Sequence, residues 1–230
     1  MGWHGAGSHH EAMMYPIRRP ALALLALAAG AAAVLASGCA RQPEAPLAAW
    51  GRAPDEVRAV LWPEPRTLPD FVLTTQHGQR FGPAELRGQW GFLFFGYLSC
   101  PDVCPVTLHA LRGFRRLLQE QDREAAGYRI VFVSVDPERD TAARIGPYLA
   151  HFDADFIGLT GTPEELRRFA DALAVRYETL TDANGLVAID HTSSVMIVDP
   201  AGQVVGALPP PHQPERMVAS FRGLRDYLGR

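Results

Sequence analysis

The chain has 230 residues, 47% hydrophobic and 20% charged, which is the balance of a folded globular protein and excludes a disordered or fibrous one. With 22 Lys and Arg against 25 Asp and Glu, its formal net charge is −3. No Lys/Arg run stands outside the N-terminal flank, so no nucleic-acid partner is expected.

The first predicted element is an address. Residues 21–37 contain only Ala, Leu, Val and Gly before a closing Ser, and they follow the basic pair Arg18-Arg19. That is the charged and apolar sequence of an export signal. It ends in Leu35-Ala36-Ser37-Gly38-Cys39, which resembles a bacterial lipoprotein signal-peptide site and implies cleavage before Cys39 and its lipidation. Ala36 stands where such sites more often carry Leu. The competing reading is an uncleaved anchor, since about 17 to 20 apolar residues can just span a bilayer. Both readings place the remainder outside the cytoplasm, on the periplasmic side of a bacterial envelope and tied to the membrane. Residues before Met13 fit neither signal nor core, so Met13 or Met14 is read as the biological start, and His4, His9 and His10 are set aside.

From residue 41 to about residue 65 the chain is rich in Ala and Pro, with six prolines from Pro43 to Pro69 and little alternating apolar pattern. It reads as a tether. The expected division is therefore 1–38 for signal or anchor, 39–69 for linker, and 70–230 for the folded domain.

Within that domain, residues 70–75 and 79–81 flank His77-Gly78 as an N-terminal β-hairpin, with His77 read as a turn residue. Residues 92–97 form a continuous apolar run, as expected of a buried strand. Residues 106–121 follow at helical spacing, and residues 128–135 make a second buried strand ending at Asp136-Pro137. Two further helices, 141–152 and 162–175, enclose a short strand at 156–159. The second opens with Thr162-Pro163-Glu164-Glu165, an N-cap, a proline at the first helical position and acids in the first turn. Strands at 194–198 and 203–208 are joined by Asp199-Pro200-Ala201-Gly202, and a helix over 214–228 closes the chain. The order predicts an α/β fold with one sheet covered on both faces by helices.

Cys100 and Cys104 follow a buried strand and precede a helix, at the strand end where open α/β sheets place their chemistry. A spacing of four brings the sulfurs to one side if the intervening residues are near-helical, and helix N-terminal N–H groups favour the thiolate. The alternative is a structural disulfide, but so small a loop constrains the unfolded chain little. Two thiolates suit copper or zinc and need at least one further donor. His109 is rotated away from the cysteine face, His151 is explained by its helix end, and His212 lies in a proline-rich loop of unpredictable position. His191, beside Asp190 and before a strand, reads either as a ligand or as an exposed loop histidine.

Four motifs, in order, are similar to those of the Sco/SenC family. They are residues 96–105 (Gly-Tyr-Leu-Ser-Cys-Pro-Asp-Val-Cys-Pro), 134–141 (Ser-Val-Asp-Pro-Glu-Arg-Asp-Thr), 158–162 (Gly-Leu-Thr-Gly-Thr) and Asp190-His191-Thr192. The resemblance runs over about residues 71–228. It implies a thioredoxin-like fold with a central mixed sheet flanked by helices, and a copper metallochaperone that serves assembly of the dinuclear copper site of cytochrome c oxidase. It further implies Cys100, Cys104 and His191 as the ligands of Cu(I) or Cu(II), with the cysteines also able to form a reversible disulfide. Asp136 matches a family aspartate near the site, with a role in thiol protonation or partner contact, although a strand-ending turn equally explains it. The strand after His191 lacks the aromatic residue found in many members, which bears on the partner surface and not on the ligands. Met196 is read as core.

The implied partners are the apo copper-site subunit of the oxidase, a copper donor and a thiol reductant. The alternative function is a thiol-disulfide oxidoreductase that reduces the oxidase's cysteines, and a weaker one is a peroxidase-like enzyme. Dedicated thioredoxin-type oxidoreductases have two residues between their cysteines and a cis-proline facing them. Here three intervene, and Ile189-Asp190-His191-Thr192 contains no proline. A peroxidase calls for a single nucleophilic cysteine with an activating Thr or Arg, which the pair argues against.

Overall fold

The computed structural model describes residues 50–121, 127–181 and 187–229. The expected signal segment, Cys39 and the start of the tether lie outside the described residues. Among the described residues no helix is long and apolar enough to cross a membrane.

The strands are β1 (Leu61–Thr67), β2 (Leu73–Thr75), β3 (Arg80–Phe81), β4 (Gly91–Gly96), β5 (Arg129–Ser134), β6 (Ile157–Thr160), β7 (Tyr177–Thr181), β8 (Val187–His191), β9 (Val195–Val198) and β10 (Gln203–Leu208). The helices are α1 (Asp55–Arg58), α2 (Val103–Gln121), α3 (Ala142–Ala150), α4 (Pro163–Ala172) and α5 (Pro214–Leu228). Eight strands form one mixed sheet in the order β1-β10-β9-β4-β5-β6-β2-β3, while β7 and β8 pair as a separate hairpin. The centre is parallel across β4, β5 and β6, and β9 joins β4 antiparallel.

All six residues of β4 are buried, so the strand reads as a continuous apolar run rather than an alternation. Its two faces hold different helices. Phe92 meets Phe114 of α2 and Phe221 of α5 edge-on, at 4.7 and 4.9 Å between centroids, which sets both helices on one face. Phe132, in register with Phe94, contacts Tyr148 of α3 on that same face. Phe95 turns the other way and meets Phe169 of α4. The predicted cap of α4 is present, with Thr162 Oγ1 accepting the Glu165 N–H at 3.3 Å.

Two expectations are corrected. The linker does not extend to residue 69: Ala53, Val57, Val60, Leu61 and Leu68 are buried, and β1 pairs antiparallel with β10. Of β1 only Leu61 is buried, and Pro63 and Pro65 sit on an edge strand where a missing N–H breaks no second ladder, so no alternation was legible. One sheet does not account for every strand either, because β7 and β8 pair apart from it. Four of the five β7 residues are exposed, which leaves no apolar face to read.

Candidate metal centre

β4 ends at Gly96, and Tyr97-Leu98-Ser99-Cys100 turns the chain toward α2. The Cys100 N–H donates to the Tyr97 carbonyl at 3.2 Å, and α2 begins three residues later. The turn is tied from outside by Asp140, whose Oδ2 accepts the Leu98 N–H at 2.9 Å and the Ser134 hydroxyl at 2.8 Å. This carboxylate, 1% exposed, couples the cysteine loop to the end of β5. Burial pushes its pKa up, opposed by those two hydrogen bonds. Sequence reasoning did not single out Asp140. Its signal was a second acid four residues after Asp136, just past a buried strand.

Cys104 is fully buried in the first turn of α2, while Cys100 is half-buried. The Cys104 N–H points at Cys100 Sγ, 3.5 Å away. The N–H at the helix start is therefore directed to the Cys100 sulfur and not to that of Cys104. At Cys104 burial wins, and the thiol pKa is pushed well up. Gly96 makes room for this sulfur, since a Cβ there would lie 2.7 Å from Cys104 Sγ.

His191 arrives from the end of β8. Its Nδ1 lies 3.1 Å from the Thr192 carbonyl oxygen, which only accepts, so Nδ1 carries the proton and Nε2 keeps its lone pair. That Nε2 lies 3.6 Å from Cys104 Sγ. Burial lowers the imidazole pKa, partly offset by the Thr192 carbonyl, so the ring is neutral at pH 7. Phe94 and Tyr97 flank it, at 5.9 and 6.1 Å between centroids.

The donor atoms of Cys100, Cys104 and His191 all lie within 4.8 Å of one another. Donors bonded to one ion at about 2.0–2.3 Å stand roughly 3.5–4.5 Å apart, so small adjustments close this set on a metal. Two sulfurs and one imidazole nitrogen suit Cu(I), Cu(II) or Zn(II), not Mg(II) or Ca(II).

Because metal displaces protons from its ligands, the centre has a defined pH response. The raised Cys104 pKa keeps that thiol protonated without metal, so copper affinity is expected to rise about tenfold per pH unit for each proton displaced. His191 adds to the slope only below its ordinary value of 6.5, because its pKa is lowered. Competition titrations from pH 5 to 8 check this; a flat affinity would contradict it.

The remaining candidates separate cleanly. Asp136 is buried, its carboxylate paired with Arg139 and its carbonyl accepting the Asp140 N–H at 2.8 Å in the turn after β5. It is outside the converging trio. His109 is exposed and packs on Phe152, His151 bonds the Pro147 carbonyl, and His77 is exposed in its turn. His212 lies 3.3 Å from both the Thr107 hydroxyl and the Leu208 carbonyl, one contact per ring nitrogen. Met196 is 2% exposed, in the core as expected.

Residues 62–225 match the family model described as SCO1/SenC. A protein of Stutzerimonas stutzeri named as copper-binding is 35% identical over 157 residues, covering 68% of this chain and 76% of its own length. The human mitochondrial SCO1 homolog is 35% identical over 136 residues, which are 58% of this chain and 44% of that one. Thus the chain spans under half the length of that relative. Among solved structures, copper-bound ScoI of Arabidopsis thaliana aligns with a TM-score of 0.65 at 30% identity, covering 70% of this chain and 99% of that one. Copper-bound ScoI of Bradyrhizobium japonicum aligns with a TM-score of 0.61 at 32% identity and the same coverage.

Proposed function

This chain belongs to the SCO1/SenC family, and from that premise we propose that it is a copper metallochaperone for assembly of the dinuclear copper site of cytochrome c oxidase. Copper sits between the sulfurs of Cys100 and Cys104 and Nε2 of His191. The observation that carries this is the convergence of the three donors with the imidazole lone pair already turned inward. Dithiol exchange needs only the two sulfurs, whereas a metal held by two thiolates needs the third donor that His191 supplies. Copper passes to the apo oxidase subunit by ligand exchange, incoming thiolates replacing Cys100, Cys104 and His191 in turn. The protein works on the periplasmic side of the membrane, held by a lipid on Cys39 or by the apolar segment before it. An exported dithiol must stay reduced to hold copper, so a copper donor and a thiol reductant complete its partners. Asp136, whose carbonyl accepts the N–H of the Asp140 that ties the cysteine loop, is assigned an auxiliary part in partner contact.

The adjacent thiols also support a second reading, reduction of the oxidase's cysteine pair with oxidation of Cys100 and Cys104 to a disulfide, two electrons and two protons passing to the target. Copper titration of the full-length chain tests the ligand set. In His191→Ala, affinity is expected to fall by at least about 10-fold, with loss of nitrogen coupling in the Cu(II) resonance spectrum. An unchanged spectrum and affinity overturns the assignment. Incubating reduced, copper-loaded protein with an apo copper-site subunit divides the two readings. Copper appears in the subunit under the first, and only thiols appear under the second.

A further inference from the structure

Resting on His191 as a ligand, we propose that Arg167 is a positioning residue for the centre: it fixes the cross-strand partner of His191 and so holds the third ligand on the metal. The three ligands are held very differently. Both cysteines stand on the loop and helix that follow β4, at the middle of the large sheet. His191 stands on a hairpin that, among the described residues, pairs only with itself. Its ligand end is closed by hydrogen bonds from one strand to the other. The Thr192 N–H donates to the Arg176 carbonyl at 2.9 Å, and the Arg176 N–H to Thr192 Oγ1 at 3.0 Å. These bonds join β7 to β8 and leave open what joins the hairpin to the body.

On the β8 side, Ile189 is buried among the core residues. On the β7 side the tie is Arg167 of α4. Its guanidinium lies 3.9 Å from the Tyr177 ring centroid, and its Nη1 donates to the Tyr177 carbonyl at 3.1 Å. Tyr177 is the residue directly opposite His191 in the β7–β8 register. Helix α4 is itself seated on the large sheet through fully buried Phe169, whose ring meets Phe95 at 5.8 Å and Phe71 at 4.2 Å. A continuous path therefore runs from the central sheet through Phe169, Arg167 and Tyr177 to His191. Arg167 and Tyr177 also line both the groove beside His191 and the groove beside Asp136, and so stand as the wall between them.

The geometry asks for arginine. A planar guanidinium stacks on the ring and donates in its own plane at once, whereas an ammonium does only one of these well. Without it, β7 is released, His191 spends part of its time off the metal, and apparent affinity falls by the fraction that remains competent.

The test compares copper titrations of the full-length chain and its Arg167→Ala, Arg167→Lys, His191→Ala and doubly substituted forms, with Cu(II) resonance spectra of each. Arg167→Ala is expected to weaken copper about fivefold, the scale of an exposed cation–π contact with one hydrogen bond, and to reduce the nitrogen coupling while sulfur charge transfer persists. Arg167→Lys recovers part of both. In the His191→Ala background, Arg167→Ala adds nothing, because the ligand it positions is gone. Tyr177→Leu removes the stack alone and serves if Arg167→Ala does not fold. Wild-type affinity and nitrogen coupling in Arg167→Ala, or an equal loss with and without His191, overturns the inference. Unchanged nitrogen coupling in His191→Ala overturns the ligand reading and this inference with it.

Discussion

Replacing Cys104 with serine is expected to abolish stoichiometric copper binding. The Cys104 side chain is fully buried, and its sulfur is the donor nearest His191 Nε2, at 3.6 Å. A serine oxygen is a harder donor on a shorter bond, and at neutral pH it keeps its proton. The loss should exceed about 100-fold in affinity, the upper range for a residue that merely supports a ligand. The thiolate-to-Cu(II) absorption should change with it. A polar hydroxyl in that enclosed site also costs stability, about 1–3 kcal/mol if it finds no partner. Cys100→Ser loses copper equally but costs less stability, because Cys100 is half-buried. Thermal unfolding of the metal-free variants separates the two effects. A Cys104→Ser protein that binds one copper with an unaltered thiolate band would sink the assignment.

What the sequence disclosed about this centre depended on burial. The β4 run is apolar at every position because the strand is covered on both faces, and that made the strand end, and hence Cys100 and Cys104, visible. His191 stands on a hairpin with one exposed strand, where no periodicity marks a strand at all, so its position left ligand and loop histidine open and the Asp190-His191-Thr192 resemblance decided between them. The β1 strand was hidden by its own prolines, and Asp140 by its neighbour Asp136. Arg167 carried no signal: it is a surface position on an amphipathic helix, and its contact with Tyr177 exists only once the hairpin folds back on α4. Local pattern therefore revealed the parts that bury apolar surface, and the tertiary contacts that aim His191 had to be seen in three dimensions.

The same burial makes Gly96→Ala a test of how tightly the cysteine side is built. A Cβ at residue 96 would lie 2.7 Å from Cys104 Sγ, 3.0 Å from Phe132 Cε2 and 3.3 Å from Phe94 Cε1. Neither ring can retreat, since both phenylalanines are fully buried in the packed core. The sulfur or the start of α2 must move instead. Overpacking of this kind costs about 1–3 kcal/mol, which the metal-free protein should show as a lower Tm. The copper complex should suffer as well, because Cys104 Sγ is pressed away from β4 while His191 stays where β8 puts it. A loss of at least about 10-fold in affinity is expected, with a shifted thiolate band. If α2 swings away as a rigid unit, carrying its sulfur to an equally good position, stability falls but the copper spectrum is unchanged, and the close fit of Gly96 then belongs to folding alone. A shifted spectrum instead makes this glycine part of the centre, with the missing side chain setting where the buried sulfur meets the metal.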